Sequence, residues 1–187
     1  MTTWIALLRG INVGGRNAMP MAALSTTFES AGCRAVRTYI QSGNVVFGSS
    51  ATSKESLRQS LGDAVEAQFG FRPGILLLSE DEFRLAFANN PFLDALAEPK
   101  SLHFFFLDSP PRSPDMAGIE RLALPTERFL LKNAVFYLHT PDGFGRSKLA
   151  ATVERKLGEP ATARNFATVQ KLSEMIGAER RLLRFRH

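Results

Sequence analysis

The chain holds one cysteine, Cys33, and three histidines in its 187 residues. A single cysteine excludes an internal disulfide and a thiolate metal cluster. His103, His139 and His187 form no H-E-x-x-H pair and have no neighbour at metal spacing, so no metal centre is expected. Long apolar runs are missing as well. The longest near the N-terminus, Trp4 to Leu8, is too short for a signal peptide or a membrane span, so a cytoplasmic setting without a membrane partner is expected. There is no G-x-S-x-G elbow, and Cys33 follows Gly32 just past a helix pattern, where a partly buried, inert thiol is expected. The acid run Glu80-Asp81-Glu82 falls in a helix's first turn, where the helix dipole accounts for it. No catalytic constellation is legible, and no cofactor is expected.

What is present is an ordinary globular composition, 44% hydrophobic and 22% charged, long enough for one medium domain or two small ones. The net charge of +5 invites a nucleic-acid reading, but it is unevenly spread. Residues 178 to 187 hold Arg180, Arg181, Arg184 and Arg186 against Glu179, which leaves +2 for the rest of the chain. A basic tail of this kind is read as a solvated terminus.

Period and punctuation place the elements. Trp4 to Arg9 reads as a buried strand, and Pro20 opens a helix that stops at Gly32. Arg34 to Ile40 and Val45 to Phe47 flank the polar turn QSGN and predict a hairpin. Thr52 and Glu55 read as a capping box for a helix with Leu57, Leu61, Val65 and Phe69 on one face. A strand, Ile75 to Leu78, precedes a second capping box, Ser79 with Glu82, and a helix closed by Pro91. The same order then recurs. Leu102 to Leu107 is a strand, Ser113-Pro114 caps a short helix, and Arg128 to Lys132 with Val135 to Thr140 form a hairpin at Asn133. Leu149, Val153 and Leu157 share a helix face stopped by Gly158, and an extended Ala161 to Arg164 leads into a last helix with Val169, Leu172 and Ile176 inward. Each half reads β-α-β-β-α-β-α, which contains the ferredoxin-like split unit. The expected class is therefore α+β, two ferredoxin-like (alpha-beta plait) subdomains arising by duplication, over residues 1–95 and 96–187, with the junction in 91–100.

The stretch GINVGGRN, residues 10 to 17, nearly matches a phosphate-binding loop. Arg16 stands where Lys belongs and Asn17 where the Mg²⁺-binding hydroxyl belongs. Ala18 and Met19 then delay the helix to Pro20, which donates no amide. A hairpin follows that helix instead of a parallel strand, and the glycines miss the G-x-G-x-x-G spacing, so nucleotide-binding loops of both kinds are excluded. Glycines still let backbone amides approach a ligand, and Arg9 and Arg16 bracket them with planar donor forks.

RGINVGG, YIQSGNVVF and ARNFATVQKL, taken in order, resemble a bacterial family filed as domain of unknown function 1697. The resemblance implies two alpha-beta plaits and no established activity, substrate or cofactor. Its motifs fall here on Arg9, Gly10, Asn12, Gly14, Tyr39, Gln41, Ser42, Gly43, Asn44, Arg164, Asn165 and Lys171. Asn44 suits an Asx-type turn, and Asn165 suits a helix N-cap that would bring an anion to a helix N-terminus. In DGFGRSKL, residues 142 to 149, Ser147 is the expected cap, with Arg146 and Lys148 exposed.

RNA recognition by an open sheet is not supported, because GNVVF places aliphatics where stacking rings belong, and FFF at 104 to 106 with Phe136-Tyr137 reads as core. Besides an interaction domain using exposed sheet, which would show a large apolar patch and little charge, two functions stay open. One is a binding module for an anionic ligand, nucleic acid or a phosphate-bearing metabolite, using Arg9, Asn12, Arg16, Gln41, Ser42, Asn44, Arg164, Asn165 and Lys171. The other is an enzyme acting on a small phosphorylated or carboxylated substrate in a cleft between the plaits, with Tyr39, Gln41 or Lys148 contributing.

Overall fold

A strand that is covered on both faces must be apolar at every position, and Trp4 to Leu8 is. The computed structural model describes residues 1–184, with side chains through residue 177, and divides the chain into two compact units. In the first unit the run lies in β1 (Thr2–Arg9), at the centre of a sheet ordered β2-β3-β1-β4 with β2 (Arg34–Tyr39), β3 (Asn44–Ser49) and β4 (Gly74–Ser79). Every pairing is antiparallel, so β1 and β2 run parallel with β3 inserted between them, the split β-α-β unit. Trp4, Ala6 and Leu8 face α1 (Met21–Ser30) and α2 (Lys54–Phe69) in one core. Ile5, Leu7 and Val46 alternate onto the opposite face and are also fully buried. Neither face of β1 or β3 is open for base stacking, which removes RNA recognition of the open-sheet type.

The second unit repeats the arrangement. Its strands β5 (Leu102–Leu107), β6 (Arg128–Lys132), β7 (Val135–His139) and β8 (Ala161–Asn165) are ordered β6-β7-β5-β8, all antiparallel. Phe105, Leu107, Phe136 and Leu138 form a core against α4 (Met116–Leu122) and α5 (Val153–Leu157). On the other face Phe104 meets Tyr137 edge-on at 4.8 Å, and the Tyr137 hydroxyl donates to the Ala86 carbonyl at 2.7 Å. The rings at 104–106 and 136–137 are thus core, as their alternation predicts.

The units divide at Arg84/Leu85, inside α3 (Glu80–Ala88), whereas the proline-containing stretch 91–100 was the expected junction. That stretch belongs to the second unit. It forms a 3₁₀ turn, Leu93–Ala97, whose Asp94 pairs with Arg128 at 2.8 Å. The last helix, α6 (Phe166–Arg184), starts in the second unit and joins the first from Leu172 on, where Arg37 Nη2 donates to the Met175 carbonyl at 2.9 Å. Side chains of the basic tail, 178–187, lie outside the described residues.

Local differences have local causes. Pro20 is the extended N-cap residue and not the first helical one. Ser53, not Thr52, caps α2, because its Oγ accepts from the Ser56 amide at 3.2 Å. Asp115, not Ser113-Pro114, caps α4: its carboxylate accepts from the Gly118 amide at 2.8 Å and from Lys156 at 2.6 Å. The helix expected around Leu149 to Leu157 begins as a 3₁₀ turn, Ala150–Thr152, before α5. The Ser79–Glu82 box is reciprocal as expected, with the Ser79 amide donating to Glu82 at 2.8 Å and the Glu82 amide to Ser79 at 3.2 Å.

Candidate functional site

The glycine stretch after β1 is a miniature hairpin. Gly14 (φ +58) and Gly15 (φ +72) sit at its tip, as a two-residue type I′ turn requires. The Arg16 amide donates to the Val13 carbonyl and the Asn12 amide to the Asn17 carbonyl, both at 3.0 Å. Adding a Cβ at either glycine would meet nothing, so backbone conformation alone demands glycine here. The loop does not wrap a helix N-terminus, which is the structural reason it is no P-loop.

Two asparagines bind this hairpin to the body. Asn17 Nδ2 donates to the Gly10 carbonyl at 2.7 Å. Asn12 Oδ1 accepts from the Met19 amide at 2.7 Å, while its Nδ2 donates to the carbonyls of Met19 (3.0 Å) and Gln41 (2.8 Å). Both adopt positive φ, which asparagine tolerates better than most residues. Val13, 67% exposed, and Arg16 face solvent, and Arg16 has no side-chain partner among the described residues. Arg9 at the hairpin's base is half-buried and already engaged in the protein.

The contact from Asn12 to Gln41 joins the first motif to the second. In the QSGN turn Asn44 is fully buried, and its Nδ2 donates to the Tyr39 carbonyl (3.1 Å) and to Ser42 Oγ (2.9 Å), closing the turn from inside. Gly43 is packed tightly: a Cβ there would lie 2.7 Å from both Leu8 Cβ and Ile11 Cδ1. Its carbonyl accepts from the Leu8 amide at 2.8 Å. Gln41 is exposed, and Ile40 beside it is 50% exposed at φ +47. A β-branched residue in that region is strained by about 1–2 kcal/mol. Six expected site residues (Arg9, Asn12, Arg16, Gln41, Ser42 and Asn44) therefore gather at one end of the first sheet, with Asn12 and Asn44 serving as its internal bracing.

Arg164, Asn165 and Lys171 belong to the second unit. Asn165 Oδ1 accepts from the Thr168 amide at 3.0 Å, the expected cap of α6. Arg164 donates to the Ala163 carbonyl at 2.8 Å, and burial pulls its guanidinium down to about 10, still charged at neutral pH. Lys171 is exposed and has a partner within the protein. Ser147 Oγ accepts from the Ala150 amide at 2.9 Å, as expected, and Arg146 and Lys148 are exposed.

Cys33 and the described histidines sit in separate environments. Burial pushes the Cys33 thiol up to about 11, consistent with an inert side chain. His103 packs flat on Phe144 at 3.8 Å and burial lowers it to about 4, against a smaller opposing effect of a backbone hydrogen bond at Ser101, while its buried Nδ1 has no hydrogen-bond partner. His139 is a surface group within 3.1 Å of Arg128, and His187 lies outside the described residues. Among the described residues no group of three or more His, Cys, Asp or Glu could hold a metal ion, and no helix is long and apolar enough to cross a membrane.

Sequence reasoning missed Val13, Ile40 and the bracing role of Asn17. The signal for the hairpin was present in the adjacent Gly14-Gly15, a two-residue turn pair.

The chain is similar along 95% of its length, and 99% of the other's, to the conserved bacterial protein SP0830 from Streptococcus pneumoniae, at 27% identity and a TM-score of 0.73. No curated protein matches it. The model of the family described as "Protein of unknown function (DUF1697)" matches residues 1–137, which takes in the hairpin and the QSGN turn and stops short of the Arg164-Asn165 motif. The two motifs that the fold joins through Asn12 thus lie within the stretch that marks the chain as a member of the DUF1697 family.

Proposed function

We propose that the protein is a binding module for an anionic ligand, nucleic acid or a phosphate-bearing metabolite, held at the braced loop pair of the first unit. The observation that carries this reading is Arg16, an exposed cation without a side-chain partner among the described residues, on a hairpin fixed by six hydrogen bonds to its own strands and to the QSGN turn. An arginine pre-set on a rigid loop loses less conformational freedom when it binds than one on a mobile loop. Arg9, Gln41, Ser42 and the bare amides of the glycine tip supply further donors. Asn12 and Asn44 position them. In the second unit, Arg164, Asn165 and Lys171 are proposed as ligand-binding residues of that unit alone.

The test is anisotropy of labelled single- and double-stranded oligonucleotides titrated against salt, beside thermal shift with phosphate-bearing metabolites. Arg9→Ala and Arg16→Ala are expected to weaken binding and to lower the salt slope, by about 0.9 per duplex phosphate released. A chain with Arg180, Arg181, Arg184 and Arg186 changed to Gln should still bind. If binding survives both loop variants but disappears with the tail arginines, the loop pair is not the site.

A further inference from the structure

Building on the anion-binding reading, we infer that the Asn12–Asn17 hairpin is a finger for the minor groove of double-stranded nucleic acid, with Arg16 as the inserted side chain. The hairpin has two different sides. Asn12 and Asn17 bond inward to the carbonyls of Gln41, Met19 and Gly10, so the outward side presents only Val13 and Arg16, which pair across the tip. Between them Gly14 and Gly15 carry no side chain and have open space about them, so a partner can approach the backbone closely.

Every residue from Asn12 to Ala18 is exposed. A small metabolite is held in a concavity that buries most of its surface, and a projecting tip offers none. The tip is instead shaped to be received. The minor groove combines strong negative potential, which draws in arginine, with apolar sugar edges along its walls. Val13, 67% exposed, pairs with Arg16 across the tip, and Ile40, 50% exposed, precedes Gln41, whose carbonyl accepts from Asn12 at the hairpin's base; these are aliphatic surfaces for such edges. A membrane surface also joins anionic and apolar character. Two aliphatic side chains, with the half-buried Tyr39 next to Ile40, give it much less purchase than a groove gives an arginine.

The deciding measurement uses the full chain and two labelled duplexes, one with an A·T-rich centre and one G·C-rich. The A·T duplex, whose groove is narrower, is expected to bind more tightly, and a minor-groove-filling dye should displace the protein. Arg16→Ala should weaken A·T binding about tenfold, lower the salt slope by about 1 and erase the A·T preference. Arg16→Lys should keep the slope and lose the preference, because the ammonium is more strongly hydrated. Circular dichroism of each variant reports whether the fold is intact. Equal affinity for single strands, no displacement by the dye, or a preference unchanged in Arg16→Ala would each overturn the groove assignment while anion binding stands. Binding to phosphatidylserine vesicles and not to duplex would overturn it in favour of a membrane surface. Binding to no duplex, vesicle or phosphate-bearing metabolite would sink this inference and the reading beneath it together.

Discussion

Replacing Asn12 tests whether the hairpin is braced as described. Asn12→Ala removes three side-chain hydrogen bonds, two of them to the backbone of Met19, which is 1% exposed. At about 1 kcal/mol each the loss is about 3 kcal/mol, with the Gln41 bond at the low end because water can replace it. Asn12 also sits at φ +51, so alanine adds roughly 1 kcal/mol of backbone strain, for a total near 4 kcal/mol. Asn12→Gly loses the same bonds and keeps the conformation, so it should cost about 3 kcal/mol. Urea unfolding at pH 7 measures both, and the melting temperature should fall by about 8–16 °C in the alanine variant. A loss below about 1 kcal/mol in both variants, or a glycine variant worse than the alanine one, would refute the bracing argument. Anion binding should weaken in both variants even where the fold survives, because the hairpin then moves independently of the QSGN turn.

Gly43→Ala should cost about 2–5 kcal/mol, since it adds a Cβ 2.7 Å from Leu8 and Ile11 to the strain of φ +73. Gly70→Ala has nearly the same φ, +75, and open space, so it should cost only about 1–2 kcal/mol; equal losses at the two sites would mean that contact is not what Gly43 avoids. His103, lowered by burial from 6.5 to about 4, refuses a proton that the unfolded chain accepts. Stability should therefore fall as pH drops through 6.5 and level off below about 4, with a loss near 2 kcal/mol between pH 7 and pH 5. In His103→Phe most of that slope should vanish, with at most about 1 kcal/mol lost at pH 7, because the unpartnered Nδ1 goes with the hydrogen bond at Ser101; an unchanged slope would assign the titration to His139 instead.

The strands were legible wherever both faces are buried. Leu102–Leu107 has the bounds its apolar run predicts, and the Ser79–Glu82 box and the Asn165 cap follow from short-range chemistry that no tertiary contact overrides. Cap positions shifted where two residues could serve equally. Thr52 and Ser53 are adjacent hydroxyls, and Asp115 outcompetes Ser113 because Lys156, far away in sequence, steadies its carboxylate at 2.6 Å. The unit boundary was illegible for a related reason. Prolines mark turns, but α3 and α6 each run from one unit into the other without a break, and contacts alone decide where they divide. At the site, the charged residues stood out in the sequence. The aliphatic Val13 and Ile40 did not, since exposure cannot be read from an isolated apolar residue.

Why the two motifs meet, though Asn12 and Gln41 lie 29 residues apart, follows from strand order. In a split β-α-β unit the inserted strand begins where the first one ends, and the register Leu7↔Asn44 brings the QSGN turn against the exit of β1. The second unit obeys the same rule, with the Leu107 amide donating to the Ala134 carbonyl at 2.9 Å as the Leu8 amide does to Gly43 at 2.8 Å. The residues that leave the strands there are opposite in character. β1 exits through Arg9 into the glycine hairpin, whereas β5 exits through Asp108 toward Ser109 and two prolines, with no paired glycines. The shared topology therefore creates two equivalent corners, and only the first sets a cation on a glycine hairpin; at the second, Lys132 donates to Asn89 at 2.8 Å. The change at the strand exits, Arg9 against Asp108, confines the proposed loop-pair site to the first unit and leaves the Asp108 corner as its internal control. Asp108→Arg should raise the net charge without creating a second site, since no braced hairpin stands beside it to hold a ligand.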